Sequence, residues 1–269
     1  FFIARIQNFL SFHARNTCFY AIIKASLEYL PMQSISVIIP AFNEEKYLPA
    51  CLQSILAHRA ENVLEVIVID NASTDRTAEV AASFPGVTVI REPKKGLTAA
   101  RQCGLQSSTG DLLAFVDADT QVPSDWFTQM NEAFETDKNL VCLSGPYDYF
   151  DLSKSQRACV QAYWTVLAMP TYRLMRYMVV GGNFVASRAA LLSINGFDTK
   201  IAFYGEDTDI GRRLHTQGRV LFQKRFSVQT SGRRLAAQGL LKTGVIYVGN
   251  FLSEAFFHRA VTTSYTDIR

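Results

Sequence analysis

The sequence predicts an α/β fold, a mixed and mostly parallel sheet flanked by helices, with a variable helical part at the C-terminal end. Short apolar runs alternate with helical stretches from Ile35 onward. Several of those runs end in a carboxylate or in a turn. With 269 residues, 48% of them hydrophobic, the chain has material for one large core. Alternation of this kind means βαβ units and a parallel sheet, whose sites lie beyond the C-terminal ends of the strands.

Strands are expected at Ile35–Ile39, Val63–Ile69, Val87–Ile90, Leu112–Val116 and Leu140–Leu143. Between them, helices are expected near Glu45–Ala57, Asp75–Ser83, Gly96–Ser107 and Ser124–Glu135. Asn43 or Glu44 would cap the first helix, Ser73 the second, and Pro123 with Ser124 would open the fourth. Pro40 cannot continue a central ladder, so the first strand should end there and leave the backbone of Ala41 and Phe42 free. Residues 153–178 read as helical and bulky, with Tyr163, Trp164, Met169, Tyr172, Met175, Tyr177 and Met178; most of that stripe is expected in the core, with an acceptor-binding wall as the minority reading.

Charge and cysteine usage narrow the class. Residues 32–211 carry 14 Lys/Arg against 21 Asp/Glu, whereas 212–269 carry 10 Lys/Arg against Glu254 and Asp267 alone. A basic, aromatic end, including Tyr247, Phe251, Phe256, Phe257 and Arg259, suits an anionic ligand or an acidic membrane surface; no nucleic-acid partner is expected. Five cysteines without C-x-x-C spacing argue against a disulfide framework or a zinc site, and fit a reducing cytoplasm. Residues 1–31 are apolar and aromatic with scattered Arg5, Arg15 and Lys24. They read either as an amphipathic helix or as sequence upstream of a start at Met32. The expected organisation is therefore an extension over 1–31, a main domain over 32–232 with a nucleotide half (32–120) and an acceptor half (121–232), and a basic aromatic helical segment over 233–269.

The junctions carry the chemistry. Asp117 and Asp119 stand one residue apart after the apolar run Leu112–Val116, where two carboxylates can turn toward one hard cation such as Mg²⁺ or Mn²⁺ with substrate phosphates completing its shell. Glu44 is placed to take ribose hydroxyls, and Asp70, closing the second strand, to accept the ring N–H of a pyrimidine; Asp75 reads as a turn residue. Lys95 and Gly96 at a helix start, with Arg101 one turn inside, suit a diphosphate. Glu206 and Asp207 sit in the first turn of a helix running to Leu214.

Taken together, the ordered motifs PAFNEE, DNASTD, KKGLTAAR, DAD, GGNF, NGFD and GEDTDIGRRL resemble glycosyltransferase family 2 over about Ile35 to Leu214. The resemblance implies a GT-A fold and transfer of a sugar from a nucleotide-diphosphate donor. It implies that Pro40, Ala41, Glu44 and Asp70 line the nucleoside pocket, with Lys95 and Arg101 near the ribose or diphosphate. Asp117 would contact ribose or a metal-bound water, and Asp119 would bind the metal. Asp207 would be the base that deprotonates the acceptor hydroxyl, with Glu206 next and Asp209 third. Gly181, Gly182 and Asn183 would form a tight turn against the donor sugar, helped by glycine's freedom at positive φ. One base, one metal and no second nucleophile imply an inverting displacement.

Departures from the family pattern sharpen the expectation. Gln102 stands where Asn is frequent after Arg, and VQTSGRR lacks the histidine that often follows the last strand, so Arg233 and Arg234 are expected to stabilise the diphosphate instead. The Q-x-x-R-W signature of processive synthases is absent, which favours transfer of a single sugar, a UDP-sugar first, in the cytoplasm or peripherally at the inner membrane face, to a lipid-linked saccharide or polysaccharide. A catalytically idle sugar-nucleotide-binding module and a sugar-phosphate nucleotidyltransferase are the alternatives.

Overall fold

The computed structural model describes residues 32–201 and 204–239 and the single positions 243, 244, 246, 249 and 253. The expectations for residues 1–31 and for the aromatic C-terminal residues Tyr247, Phe251, Phe256, Phe257 and Arg259 lie outside the described residues. Strands β1 (Ile35–Ala41), β2 (Val63–Asp70), β3 (Val87–Arg91) and β4 (Leu112–Val116) alternate with helices α1 (Leu48–Ala57), α2 (Thr77–Ala82) and α3 (Leu97–Ser107). After them come β5 (Thr120–Gln121), α4 (Trp126–Thr136), β6 (Leu140–Ser144), β7 (Tyr147–Tyr149) and α5 (Lys154–Tyr163). A π-turn over Trp164–Ala168 leads into α6 (Met169–Met175), then β8 (Asn183–Ser187), α7 (Arg188–Ser193), α8 (Glu206–His215), β9 (Arg219–Phe222), β10 (Val228–Thr230) and α9 (Arg233–Gln238).

The main sheet has the order β3-β2-β1-β4-β8-β6-β9. Its β1, β2, β3 and β4 are parallel, and β8 runs antiparallel between β4 and β6. A small sheet, β5-β10-β7, stands beside it. Alternate side chains of the strands feed two apolar layers, as the period of two requires. Val37, Ile39, Val68, Ala114 and Val116 pack with Leu52 and Ile55 of α1 and Trp126 and Met130 of α4. Ile38, Ile67, Ile69, Leu113 and Phe115 pack with Leu105 of α3 and Ile210 and Leu214 of α8.

Four local expectations need correction. β1 does not stop before Pro40: Pro40 pairs with Ile69 and Ala41 with Asp70. Pairing with β4 ends earlier, at Ile38 and Phe115, so the residue without an N–H falls where β1 has one neighbour rather than two. Asn43 and Glu44 are not caps either. α1 starts at Leu48 without a side-chain cap, while Asn43, at φ 54°, accepts from the Thr74 N–H at 2.8 Å and ties the β1 and β2 loops together. Ser73 and Ser124 likewise do not cap α2 and α4, which follow Arg76 and Asp125 without a side-chain cap. The bulky 153–178 stripe is mostly core, as expected: Trp164, Tyr177 and Met178 are buried, Met169, Tyr172 and Met175 pack against the core, and of the seven Tyr163, on α5, is exposed.

Asn183 is the fourth correction. The resemblance sets it against the donor sugar, but its side chain is fully buried. Its carbonyl accepts from the Trp126 indole N–H at 3.1 Å, and its amide donates to the Gly145 and Phe226 carbonyls at 3.2 and 2.7 Å. It is a clasp at the start of β8, holding α4 and the turn after β6. Asn183→Ala should therefore cost stability rather than donor affinity, about 3 kcal/mol for three lost bonds to buried groups, read as a fall in urea midpoint. A loss of donor affinity in a variant of unchanged stability would return Asn183 to the site.

Candidate active site

The strand ends β1, β2 and β4, the glycine turn before β8 and the start of α8 converge on two clusters of opposite charges. In the first, Arg101 of α3 is 1% exposed and pairs with Glu206 Oε2 at 2.6 Å and Asp117 Oδ1 at 3.3 Å. Burial works against its charge, but Glu206 and then Asp117 outweigh it and push the guanidinium above its ordinary pKa. Burial also pushes the Glu206 carboxyl up to about 7, against the pull of Arg101. The glycines lie against this ion network. A side chain at Gly181 would come within 2.5 Å of Glu206 Oε1, and one at Gly182 would run into Asp117 and the Tyr147 hydroxyl. Neither glycine has positive φ, so close approach, not conformation, demands the pair.

Asp207 follows Glu206 in the first turn of α8 and is half-buried. Burial raises its carboxyl, while the Thr208 N–H, at 2.8 Å, opposes the rise. It lies close enough to Tyr163 to raise that phenol in turn, after burial. Asp209, the third acid of the motif, is taken up inside its own helix: it accepts from Arg212 and Arg213, each at 2.8 Å, and Arg213 in turn donates to the Ile194 and Gly196 carbonyls. Gln102 accepts from the Phe197 N–H at 2.8 Å, so the residue that departs from the family pattern holds the NGFD turn.

The second cluster gathers Glu44, Asp119 and Arg233. Arg233 Nη2 contacts Glu44 Oε1 and lies 2.9 Å from Asp119 Oδ2. Asp119 Oδ1 also accepts from Thr230 of the small sheet at 3.3 Å. Arg234 is half-buried beside Arg233. Asp70 is 4% exposed at the end of β2 and accepts from the Ser73 N–H at 3.3 Å, while Pro40 and Ala41 are buried alongside. Lys95 is exposed, its ammonium 3.9 Å from the centroid of Phe42. Asn71 holds the Lys95 loop, donating to the Glu92 and Lys94 carbonyls and accepting from the Gly96 N–H at 2.7 Å. Asp75 accepts from Thr77 and from the Glu45 N–H, as a turn residue should.

Asp117 and Asp119 offer hard oxygens of the kind Mg²⁺ and Mn²⁺ take. Among the described residues no group of three or more His, Cys, Asp or Glu could hold a metal, so a cation here would draw its remaining ligands from a diphosphate and water. A guanidinium already rests on Asp119, so the place accommodates a positive charge. The residues fit the group.

Tyr147 escaped the sequence reading. Its hydroxyl donates to Asp117 Oδ2 at 3.1 Å and accepts from the Gly182 N–H at 2.7 Å. Burial, followed by Asp117, raises the phenol well above its ordinary value, so it stays a donor. The available signal was its place in GPYDYF, just past the end of β6, by the same strand-end rule that singled out Asp117.

The chain matches the model of glycosyl transferase family 2 over residues 36–194, and a model described as the N-terminal domain of galactosyltransferase over 163–231. It is 35% identical over 96 residues to the glycosyltransferase GlyA of Streptococcus pneumoniae, covering 34% of this chain and 14% of that protein. The matches reach well under two thirds of the length of such curated relatives. Among solved structures it resembles a mannosyltransferase from Pyrobaculum calidifontis in complex with GDP-Man and Mn²⁺, with TM-score 0.64, 18% identity and coverage of 94% and 74% of the two chains. It also resembles glucosyl-3-phosphoglycerate synthase from Mycobacterium tuberculosis in complex with Mn²⁺, UDP-Glc and phosphoglyceric acid, with TM-score 0.58, 18% identity and coverage of 88% and 89%. At these identities the structural likeness establishes the GT-A fold. With the family model spanning more than half of its length, the chain belongs to glycosyltransferase family 2.

Proposed function

We propose that the protein moves a single sugar from a nucleoside-diphosphate sugar, a UDP-sugar first, to an acceptor hydroxyl with inversion, using Mn²⁺ or Mg²⁺ held by Asp119 with Asp117. The observation that carries this reading is the convergence of two carboxylate–guanidinium clusters and a close-packed glycine pair at the strand ends. Mn²⁺ beside GDP-Man or UDP-Glc in two proteins of the same fold supports the donor class.

In this reading Pro40, Ala41, Glu44 and Asp70 hold the nucleoside, and Lys95, Arg101, Arg233 and Arg234 supply positive charge around the diphosphate. The divalent cation, when bound, offsets the charge that builds on the departing nucleoside diphosphate. The backbone at Gly181 and Gly182 bounds the sugar. Asp207 takes the proton of the acceptor hydroxyl, and its raised pKa strengthens it as a base. Glu206 positions Arg101 from behind. The buried Cys51 is kept a thiol, first by burial and then by Asp119 and Asp117, and supplies no nucleophile. A single in-line displacement, which inverts the centre, is what these groups support.

The helical segment that carries Tyr163, near Asp207, has no acids and exposes apolar side chains. No Asp or Glu occurs between Asp151 and Asp198. Val166 and Leu174 are 73% and 82% exposed, on the same helical segment as Tyr163. A lipid-linked saccharide or polysaccharide precursor at the inner membrane face suits such a surface. No helix among the described residues is long and apolar enough to cross a membrane.

Calorimetric titration with UDP- and GDP-sugars should show saturable binding that EDTA abolishes and that Asp119→Ala weakens by about 100-fold; failure to bind any nucleotide, with or without Mn²⁺, sinks the reading. Asp207→Asn should lower kcat by about 10²- to 10⁴-fold while leaving donor affinity in place, and an active variant would remove Asp207 from the role of base. Glu206 makes a pH prediction. A carboxyl raised in the folded state from 4.5 to about 7 favours the fold fully below 4.5, and that contribution is lost as the pH climbs to about 7. In urea unfolding the wild type should lose stability relative to Glu206→Gln across this interval, and a flat or rising difference would contradict the shift.

A further inference from the structure

Arg233 is the first residue of α9, and one of its nitrogens touches both Glu44 and Asp119. Its guanidinium carbon lies 4.7 Å from the centroid of the Tyr47 ring. The charge is thus held by two carboxylates and a ring face. The segment that delivers it is fixed by Asp151, which accepts from the Ser231 hydroxyl at 2.6 Å and the Gly232 N–H at 2.5 Å. The side chains of Glu44 and Asp119 are 3% and 14% exposed. Two carboxylates converging on one nitrogen at that depth repel each other unless a cation lies between them. They are also the residues assigned above to the ribose and to the divalent metal, and the inference rests on that assignment.

We propose that Arg233 is the resident counter-ion of the donor site: it holds Glu44 and Asp119 while the donor is absent, and exchanges them for the diphosphate when nucleotide and metal arrive together. Asp119 serves the divalent cation at full strength only after the guanidinium has left it. The released guanidinium meets, in the incoming diphosphate, an acceptor that matches its fork. Metal alone would displace Arg233 and leave that charge without a partner. Nucleotide alone would set negative phosphates beside two carboxylates. Each therefore binds weakly without the other, and the pair enters as a unit. Arg101 cannot take this part, because Glu206 and Asp117 hold it inside the other cluster.

The test is Mn²⁺ binding by the full chain, read from the free-ion electron paramagnetic resonance signal with and without UDP or GDP. Wild type should bind Mn²⁺ weakly alone and tightly with nucleotide. Arg233→Met should bind Mn²⁺ alone about tenfold tighter than wild type, and the nucleotide at saturating Mn²⁺ about tenfold more weakly. Arg233→Lys keeps the charge and loses the fork, so its Mn²⁺ affinity should stay near the wild-type value while its nucleotide affinity falls. Should Arg233→Met fail to fold, Tyr47→Leu, which removes the ring and leaves every charge, should shift Mn²⁺ affinity in the same direction by a smaller factor. An unchanged or weaker Mn²⁺ affinity in Arg233→Met and Tyr47→Leu, with nucleotide-dependent Mn²⁺ binding intact in wild type, overturns the exchange and leaves the donor assignment standing. Absence of Mn²⁺ binding in wild type even with nucleotide overturns both.

Discussion

Arg101 carries a guanidinium into a space that leaves it 1% exposed, and the chain has to bring carboxylates from two other elements to meet it. A buried charge without a partner would cost several kcal/mol, so β4, through Asp117, and α8, through Glu206, are bound to α3 in one arrangement. The glycines follow from the same constraint. Gly181 and Gly182 carry no side chains because those ions and the Tyr147 hydroxyl fill the space a Cβ would need. Such a network adds little net stability, since the cost of desolvation offsets most of the attraction; its effect is to allow few other arrangements of strand end, turn and helix start.

The site has two guanidinium centres built differently. Arg101 grows from the middle of a helix packed on the sheet, with Phe184 beneath it, its guanidinium carbon 5.9 Å from the ring centroid. Arg233 arrives at the start of a short helix after the small sheet, with a side chain that is 16% exposed. The small sheet thus makes a second connection to the strand ends, through Thr230 to Asp119 and through Tyr147 to Asp117. One half of the site is set by the core and the other by an appended layer.

What could be read from the sequence followed from burial. β1 to β4 are apolar runs flanked by polar turns, and each predicted strand appears within a residue or two of its expected ends. The carboxylates at the ends of β2 and β4 were legible as strand-end groups because a charge directly after an apolar run marks where the strand leaves the core. Asn183 was not legible, since the same motif would serve a ligand or a clasp, and only the position of Trp126 and of the Phe226 carbonyl decides. Pro40 misled for a related reason: the rule that proline ends a central strand assumes neighbours on both sides, and β4 has already parted from β1 at that point. Tyr147 and the sheet β5-β10-β7 depend on strands of two or three residues, too short to leave a period.

The π-turn at Trp164–Ala168 has a consequence for how such a protein can change. It inserts one residue into an otherwise continuous helical segment, so the two flanking helices are turned by about 100° relative to an uninterrupted helix. Trp164 and Ala168 consequently face Phe222 while Val166 and Leu167 point away from the core. Losing that one residue would rotate one flanking helix against the other by the same angle and present a different set of side chains on this segment, with the strands that lead to Glu44, Asp70 and Asp119 left as they are. Single-residue insertions and deletions here would act as a dial on one half of the molecule, a route to new partners that bypasses the costly redesign of a buried ion network.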